Sequence, residues 1–345
     1  MQDAVDSLQS TGGDVTVDMF PFANIECDNF TTFTIDTHHL TIESSEDLDI
    51  YSGGNTDLFQ VRFEVINGGE LTYEPNVEFL GVDLQNVDGG AVYVGEGSRV
   101  RFLNDFGTEG VGVRSIADLG DFSSYQLSGG CVWTNGYFRV GGLATMNDCE
   151  VGGGGESSPG PGGAVFVGEE GLVVFQGGVE ISDVSIIDDE GNDGGGIYNT
   201  GKVIVKGKSK FESLFAESAG AIFNAEGASF KFKEGATAIF TECRSFDGIG
   251  GAILNEGVFE FSGAALFLDG RSDRGGAIVV QDTGEMVLSE DSVFFENESS
   301  DDIGAPVYVF SGGSLTVPES LLFIGNGNED AVCDTIYFED GAVCI

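Results

Sequence analysis

The sequence predicts an all-β protein, a right-handed parallel β-helix with about three short strands in each coil. Two observations carry this prediction. A Gly-Gly-Ala motif, here called the glycine motif, is followed by an apolar run and recurs at intervals of 25 to 40 residues along the 345-residue chain. Between the copies, apolar and polar side chains alternate, as in Val258-Phe259-Glu260-Phe261, and this is the period of half-buried strands.

The spacing of the glycine motif indicates one coil per repeat. Clear copies stand at 89–94 and 250–255, and the third residues of all copies fall at 91, 131, 164, 196, 221, 252, 277 and 305. Each interval contains three short apolar runs separated by glycine or small polar residues. Without helices, three strands per repeat favour a solenoid in which equivalent strands of successive coils pair in parallel.

The residues of the glycine motif suggest how the coils pack. We expect the two glycines to supply positive φ angles at the bend before each strand. The small third residue, such as Ala91 or Ala252, is expected to let one corner of a coil approach the next closely.

The whole chain, 1–345, is predicted to form one domain of roughly ten coils, about 50 Å long at the usual strand spacing. We expect an amino-terminal cap over 1–20, coils over 21–325 and a carboxy-terminal cap over 326–345. A short capping helix is predicted at 4–8, because its apolar residues share one helical face.

The six cysteines are even in number, and Cys333 and Cys344 flank an apolar run near the end of the chain. They could close a terminal hairpin as a disulfide. Spacing leaves the other pairings open, and a reduced protein would also tolerate buried thiols.

The charge is strongly acidic, with 58 Asp and Glu against 14 Lys and Arg and a formal net charge of −44 at pH 7. Such a surface repels phosphate backbones and anionic lipids, so nucleic acid and membrane-surface partners are disfavoured. No apolar run approaches the roughly 18 residues of a membrane-spanning helix, and we expect no direct membrane insertion.

Residues 1–9 lack the basic start and apolar core of a signal peptide, so the chain is either cytoplasmic or a trimmed fragment. We favour a fragment of an extracellular or cell-surface protein. The even cysteine count suits an oxidising compartment, and Asn29 and Asn297 each begin a glycosylation sequon.

A second motif, Phe-x-x-Asn, stands at 294–297 and 323–326. Together the two motifs resemble the polymorphic outer membrane protein repeats and their relatives in eukaryotic algae, over residues 75–330. The resemblance implies a surface-displayed β-helix of the pectin lyase-like type with adhesive roles. The carboxy-terminal anchoring segment of that family is not part of the match, and the acidic composition is more similar to a secreted algal relative.

The alternative is a polysaccharide-active enzyme, because lyases, hydrolases and epimerases also use parallel β-helices. Its usual groups are scarce here. The two histidines, His38 and His39, are adjacent and would point to opposite faces of a strand. The acidic pairs at 188–189 and 301–302 precede glycine motifs, where acidic turn residues are expected, and this favours a structural role over catalysis.

A calcium ion is the one cofactor that the sequence suggests. Asp188, Asp189 and Asp193 could hold it through carboxylate oxygens, although no EF-hand or calcium-roll pattern is present.

Two further features bear on binding. Trp133 occupies the position that Tyr93 and Phe166 fill in sister repeats, and this favours packing over sugar binding. The lysines between 202 and 210, with Lys231 and Lys233, should lie near one another on adjacent coils. We expect them to balance surrounding acids, and the alternative is a patch for a sulfated or acidic glycan.

The sequence thus predicts a non-enzymatic protein whose function is contact: adhesion, a structural coat, or binding of a glycan, matrix or surface protein. An exposed basic or aromatic ladder would favour binding over a purely structural role. Acids and bases converging on one exposed strand face would favour the enzyme.

Overall fold

The computed structural model describes residues 15–19, 25–44, 55–80, 83–85, 88–114, 128–152, 162–187, 193–246, 248–300, 306–318, 321–326 and 336–344. Every regular element in these ranges is a β-strand. The described residues therefore include no helix long and apolar enough to cross a bilayer. The capping helix predicted at 4–8 lies outside the described residues.

The strands are short and follow one another closely. The first thirteen are β1 (Val15–Met19), β2 (Ile25–Asp36), β3 (His39–Ser44), β4 (Asn55–Ile66), β5 (Glu70–Tyr73), β6 (Asn76–Leu80), β7 (Asp83–Gln85), β8 (Val92–Val94), β9 (Arg99–Phe102), β10 (Phe106–Arg114), β11 (Val132–Thr134), β12 (Tyr137–Val140) and β13 (Ala144–Gly152). The next thirteen are β14 (Val165–Val167), β15 (Leu172–Phe175), β16 (Val179–Ser182), β17 (Ser185–Ile187), β18 (Ile197–Asn199), β19 (Lys202–Val205), β20 (Lys208–Glu212), β21 (Phe215–Ala216), β22 (Ile222–Asn224), β23 (Ser229–Phe232), β24 (Thr237–Thr241), β25 (Arg244–Ser245) and β26 (Ile253–Asn255). The last twelve are β27 (Val258–Phe261), β28 (Ala264–Leu268), β29 (Arg271–Ser272), β30 (Ile278–Val280), β31 (Glu285–Val287), β32 (Ser292–Phe295), β33 (Glu298–Ser299), β34 (Val307–Val309), β35 (Ser314–Thr316), β36 (Leu322–Ile324), β37 (Ile336–Phe338) and β38 (Val343–Cys344).

The strands stack into a parallel β-helix, which confirms the predicted fold class. One sheet takes a single strand from each successive coil, in the order β1-β3-β5-β9-β12-β15-β19-β23-β27-β31-β35-β38. A 22-stranded sheet forms two further faces, which the long strand β4 joins by pairing with both β6 and β8. A third, small sheet is β21-β25-β29-β33.

The stacking reaches into both segments that were predicted as caps. Strand β1 lies within 1–20, and β37 and β38 lie within 326–345. Each pairs in parallel with the coil beside it.

The two glycines of the motif have different tasks, which corrects the expectation that both supply positive φ. The first glycine is left-handed, with φ of +68° at Gly89 and +72° at Gly250. The second instead lies against the next coil. A Cβ atom on Gly163 would fall 2.2 Å from the carbonyl oxygen of Gly195, so no side chain fits there.

The Phe-x-x-Asn motif builds a corner and a ladder of rings. Phe240, Phe267 and Phe294 stack inside the helix with centroids 4.8 Å apart in successive coils. The residue before the motif asparagine is left-handed, as at Glu296 with φ of +53°, and this turns Asn297 inward.

A ladder of asparagines follows the glycine motif. Asn199, Asn224 and Asn255 are all fully buried, and each lies beside the next in register. The Nδ2 groups of Asn199 and Asn224 each donate to the Oδ1 of the following asparagine at 2.7 Å. Each Nδ2 also donates to a backbone carbonyl, so these buried amides are satisfied.

The structure contains a disulfide that the sequence analysis did not identify. Cys131 and Cys149, 18 residues apart, are bonded and fully buried inside the coil. Cys131 stands where other glycine motifs have alanine. This substitution is the feature of the sequence from which the buried position of Cys131 could have been predicted. Of the predicted pair, Cys333 lies outside the described residues, and the Cys344 side chain is likewise not described.

We expect Gly251→Ala to lower the free energy of unfolding by more than about 2 kcal/mol, because its Cβ would fall 2.0 Å from the Gly276 carbonyl oxygen. Gly107→Ala is the control, since its Cβ would meet only ordinary contacts at 3.5 Å or more. Urea unfolding followed by circular dichroism compares the two. Equal stability of both variants would contradict the assigned role of the second glycine.

Candidate anion-binding site

Basic side chains gather on the outer face of the 12-stranded sheet. In β9, Val100 and Phe102 point inward and are fully buried, so the alternate residues Arg99 and Arg101 point outward. Strand β12 follows the same pattern and presents Tyr137 and Arg139. Pairing in register sets Tyr137 beside Arg99 and Arg139 beside Arg101.

These side chains line an open groove with a cavity volume of 760 Å³. We call it the arginine groove, and its charged and aromatic lining residues are Arg99, Arg101, Arg139, Tyr137, Glu96 and Glu170. The lining carries three positive and two negative charges, in a chain whose formal net charge is −44. The groove is therefore a local exception to the acidic surface.

The three arginines differ in how their charge is compensated. Glu70, on the preceding coil, contacts Arg99 at 3.3 Å and Arg101 at 3.5 Å. Arg139 has no ion pair among the described residues, and its Nε is buried without a hydrogen-bond partner. It also lies directly beside Arg101, and like charges in that position destabilise a sheet. An anion in the groove would compensate Arg139.

The remaining groups suit a sugar. The Arg101 guanidinium lies 6.0 Å from the centroid of the Tyr137 ring, whose side chain is partly exposed. An aromatic ring offers apolar contact to a pyranose, and the carboxylates of Glu96 and Glu170 can accept hydrogen bonds from hydroxyls. Guanidinium groups bind carboxylates and sulfates through paired hydrogen bonds.

The aromatic row that contains Trp133 has a different character. Trp133 stacks on Tyr93 at 4.5 Å and on Phe166 at 5.9 Å, with nearly parallel planes, and Tyr198 and Phe223 continue the row. Because both faces of Trp133 are covered by neighbouring rings, a sugar could reach only its edge. This geometry agrees with packing rather than sugar binding.

The lysines of the predicted patch are partly engaged by acids. Lys210 contacts Glu212 at 2.5 Å, and Lys231 forms an ion pair with Glu260 on the next coil. Lys202 and Lys208 are exposed on different faces of the same coil. Hydrogen bonding to Glu260 from Lys231 and Ser262 lowers the pKa of the Glu260 carboxyl.

The predicted calcium ligands are only partly described. Asp188 and Asp189 lie outside the described residues, as do Asp301 and Asp302. Asp193 is partly buried and forms an isolated bridge with Ser218. Within the described ranges, no group of three or more His, Cys, Asp or Glu side chains is arranged to hold a metal ion.

The two sequons fare differently. Asn29 lies in β2, and its side chain is not described. Asn297 is only 1% exposed, and its Nδ2 donates to the carbonyls of Phe267 and Phe295 and to the Oδ1 of Asn326. The nitrogen that would carry a glycan thus lies inside the coil, so the folded protein offers no acceptor at this position.

Comparisons with protein-family models, curated proteins and solved structures found no match to this chain.

Burial, followed by the Glu217 carboxylate, raises the pKa of Asp193 to about 6. Because this value exceeds the roughly 3.9 of an unfolded aspartate, the folded chain binds the proton more tightly. The stabilising contribution is full below about pH 4 and is lost as the pH rises through about 6. We expect Asp193→Asn to be more stable than the wild type at pH 7, by at most about 3 kcal/mol, and to lose this advantage near pH 4. Thermal unfolding at both pH values measures it, and a pH-independent difference would contradict it.

We expect Asn297 to be unmodified in protein secreted from eukaryotic cells, as peptide mass spectrometry would detect. Ser299→Ala removes the sequon and should leave the melting temperature nearly unchanged. Asn297→Ala should lower it, because the carbonyls that receive its buried hydrogen bonds lose their donor. A glycan on Asn297 of the stable, folded protein would refute the inward orientation.

Proposed function

We propose that this protein is a non-enzymatic β-helix that contacts acidic glycans through the arginine groove, at the cell surface or outside the cell. The observation that carries the proposal is the uncompensated guanidinium of Arg139 beside Arg101 and Tyr137. A carboxylated or sulfated sugar supplies the missing anion, and its ring supplies apolar contact to Tyr137.

The acidic surface does not preclude such a ligand. At physiological ionic strength the Debye length is about 8 Å, so acids on distant coils are largely screened from the groove. A ligand in the groove lies close to Arg139, whose positive charge no ion pair among the described residues compensates. The overall charge should still slow the approach of a polyanion, and added salt or calcium should lessen that repulsion.

The proposed location has two supports. The buried Cys131–Cys149 disulfide suits an oxidising compartment, since cytosolic thiols are usually kept reduced. The two motifs resemble surface-displayed polymorphic outer membrane protein repeats, and in this chain they occupy the corners of the coil.

Arg139→Gln should weaken binding to polygalacturonate or a sulfated polysaccharide by about tenfold or more, since a hydrogen bond to a charged group contributes roughly 1.5–3 kcal/mol. Arg271→Gln is the control. It removes the same charge from an exposed ion pair with Glu298 on the small four-stranded sheet. Calorimetric titration at physiological salt, with and without calcium, makes the comparison. Unchanged affinity in Arg139→Gln would sink the proposal.

A polysaccharide-active enzyme is the second candidate, because Glu96 and Glu170 line the same groove as the arginines. Paired carboxylates are the usual catalytic groups of glycoside hydrolases. The binding mixtures should therefore be assayed for shortened chains and unsaturated ends. Turnover that disappears in Glu96→Gln or Glu170→Gln would replace the binding function with catalysis.

A further inference from the structure

The strand positions of the arginine groove are one end of a longer row of outward strand positions without acids. The outer face of the 12-stranded sheet presents two residues from each strand, which makes ten positions over β9, β12, β15, β19 and β23. Five of these positions are basic: Arg99, Arg101, Arg139, Lys202 and Lys231. The others are Tyr137, Leu172, Val174, Ile204 and Ser229, of which Val174 is only 8% exposed because its neighbours cover it. None is acidic, although acids outnumber bases 58 to 14 in the chain.

We call these ten residues the basic strip, and acids mark both of its ends. On the preceding coil, β5 presents Glu70, which pairs with Arg99 and Arg101. On the following coil, β27 presents Glu260, which pairs with Lys231. The basic side chains are thus compensated at the two ends, whereas Arg139 and Lys202 between them have no ion pair among the described residues.

The strip runs along the helix axis. Register places Arg99, Tyr137, Leu172, Lys202 and Ser229 in one row. Arg101, Arg139, Val174, Ile204 and Lys231 form the parallel row. Five strands at about 4.8 Å spacing make the strip roughly 19 Å long. We call the path along the strip, parallel to the helix axis, the track.

The track has a cationic end, an apolar middle and a second cationic end. Leu172 lines the arginine groove and also begins the apolar middle, so the groove and the strip are continuous. One sugar unit of an extended polysaccharide is about as long as the strand spacing of about 4.8 Å. A linear acidic glycan lying along the axis could therefore meet one coil with each unit.

We propose that the ligand is a linear polyanionic glycan that lies along the helix axis over all five strands, from Arg99 to Lys231. This inference rests on the proposed function and specifies the ligand's chain length and direction. Acidic turn residues border the track, since Glu96, Glu170 and Glu226 precede β9, β15 and β23. Because these acids stand beside the strip and none stands on it, the negative groups of the ligand meet no like charge on the strip itself.

The experiment titrates oligogalacturonates from disaccharide to octasaccharide into the wild type, Lys202→Glu and Lys208→Glu. Lys202 lies on the strip one coil beyond Leu172, which lines the groove, and Lys208 is another exposed lysine of the same coil on another sheet. We expect wild-type affinity to rise with chain length up to about five units. Lys202→Glu should lose about tenfold for the octasaccharide and little for the disaccharide, whereas Lys208→Glu should resemble the wild type.

The other outcomes are distinguishable. If affinity is independent of length and Lys202→Glu has no effect, while Arg139→Gln still weakens binding by about tenfold or more, then the groove alone binds and the track is refuted. If no length binds, both the proposed function and the track fail. If sedimentation shows that the wild type self-associates and Lys202→Glu does not, then the strip binds the acidic surface of a second copy, which also overturns the inference.

Discussion

The close approach of successive backbones at the second glycine of each motif is the constraint on which the rest of the structure depends. The Gly130 amide donates to the Gly163 carbonyl at 3.0 Å, and any side chain on Gly163 would collide with the carbonyl of Gly195. Because each motif lies directly on the next, equivalent strands keep one register over the length of the helix. That register stacks the phenylalanine rings and aligns the buried amides of the asparagine ladders, so a contact between two coils is repeated by the coils beyond them.

The same register governs the outer surface, where it has a cost. Inside the helix, stacking like on like suits rings and amides, which attract one another in that arrangement. Outside, it brings Arg101 beside Arg139, where like charges repel. Elsewhere on this surface an acid on the neighbouring coil relieves such a charge, as Glu70 does for Arg99 and Glu260 does for Lys231. The uncompensated position is therefore informative, because the fold offers an easy means of compensating it.

The corners decide which polar residues become internal. A left-handed residue such as Asp148 or Glu296 bends the chain at a corner and interrupts the alternation of side chains, so the residue after it turns toward the core. Cys149 follows one such residue and meets Cys131 inside the coil. Asn297 follows another, and its Nδ2 donates hydrogen bonds to the carbonyls of Phe267 and Phe295 inside the coil. In sequence these residues were one of six cysteines and a glycosylation sequon, and their corner positions gave them other roles.

The sequence by itself determined the architecture, because the fold repeats: the spacing of the glycine motif and the alternation of Val258–Phe261 specify parallel coils without reference to distant residues. The Phe-x-x-Asn motif at 294–297 and 323–326 was likewise visible as a repeat, whereas the ladders that these residues join are seen only in the structure. Only the tertiary structure decided which outward side chains meet. Four residues separate β8 from β9, but two separate β11 from β12, so Arg101 and Arg139 stand at different offsets from their motifs. Turn length thus hides from the sequence an alignment that backbone pairing enforces in space, and the arginine groove depends on that alignment.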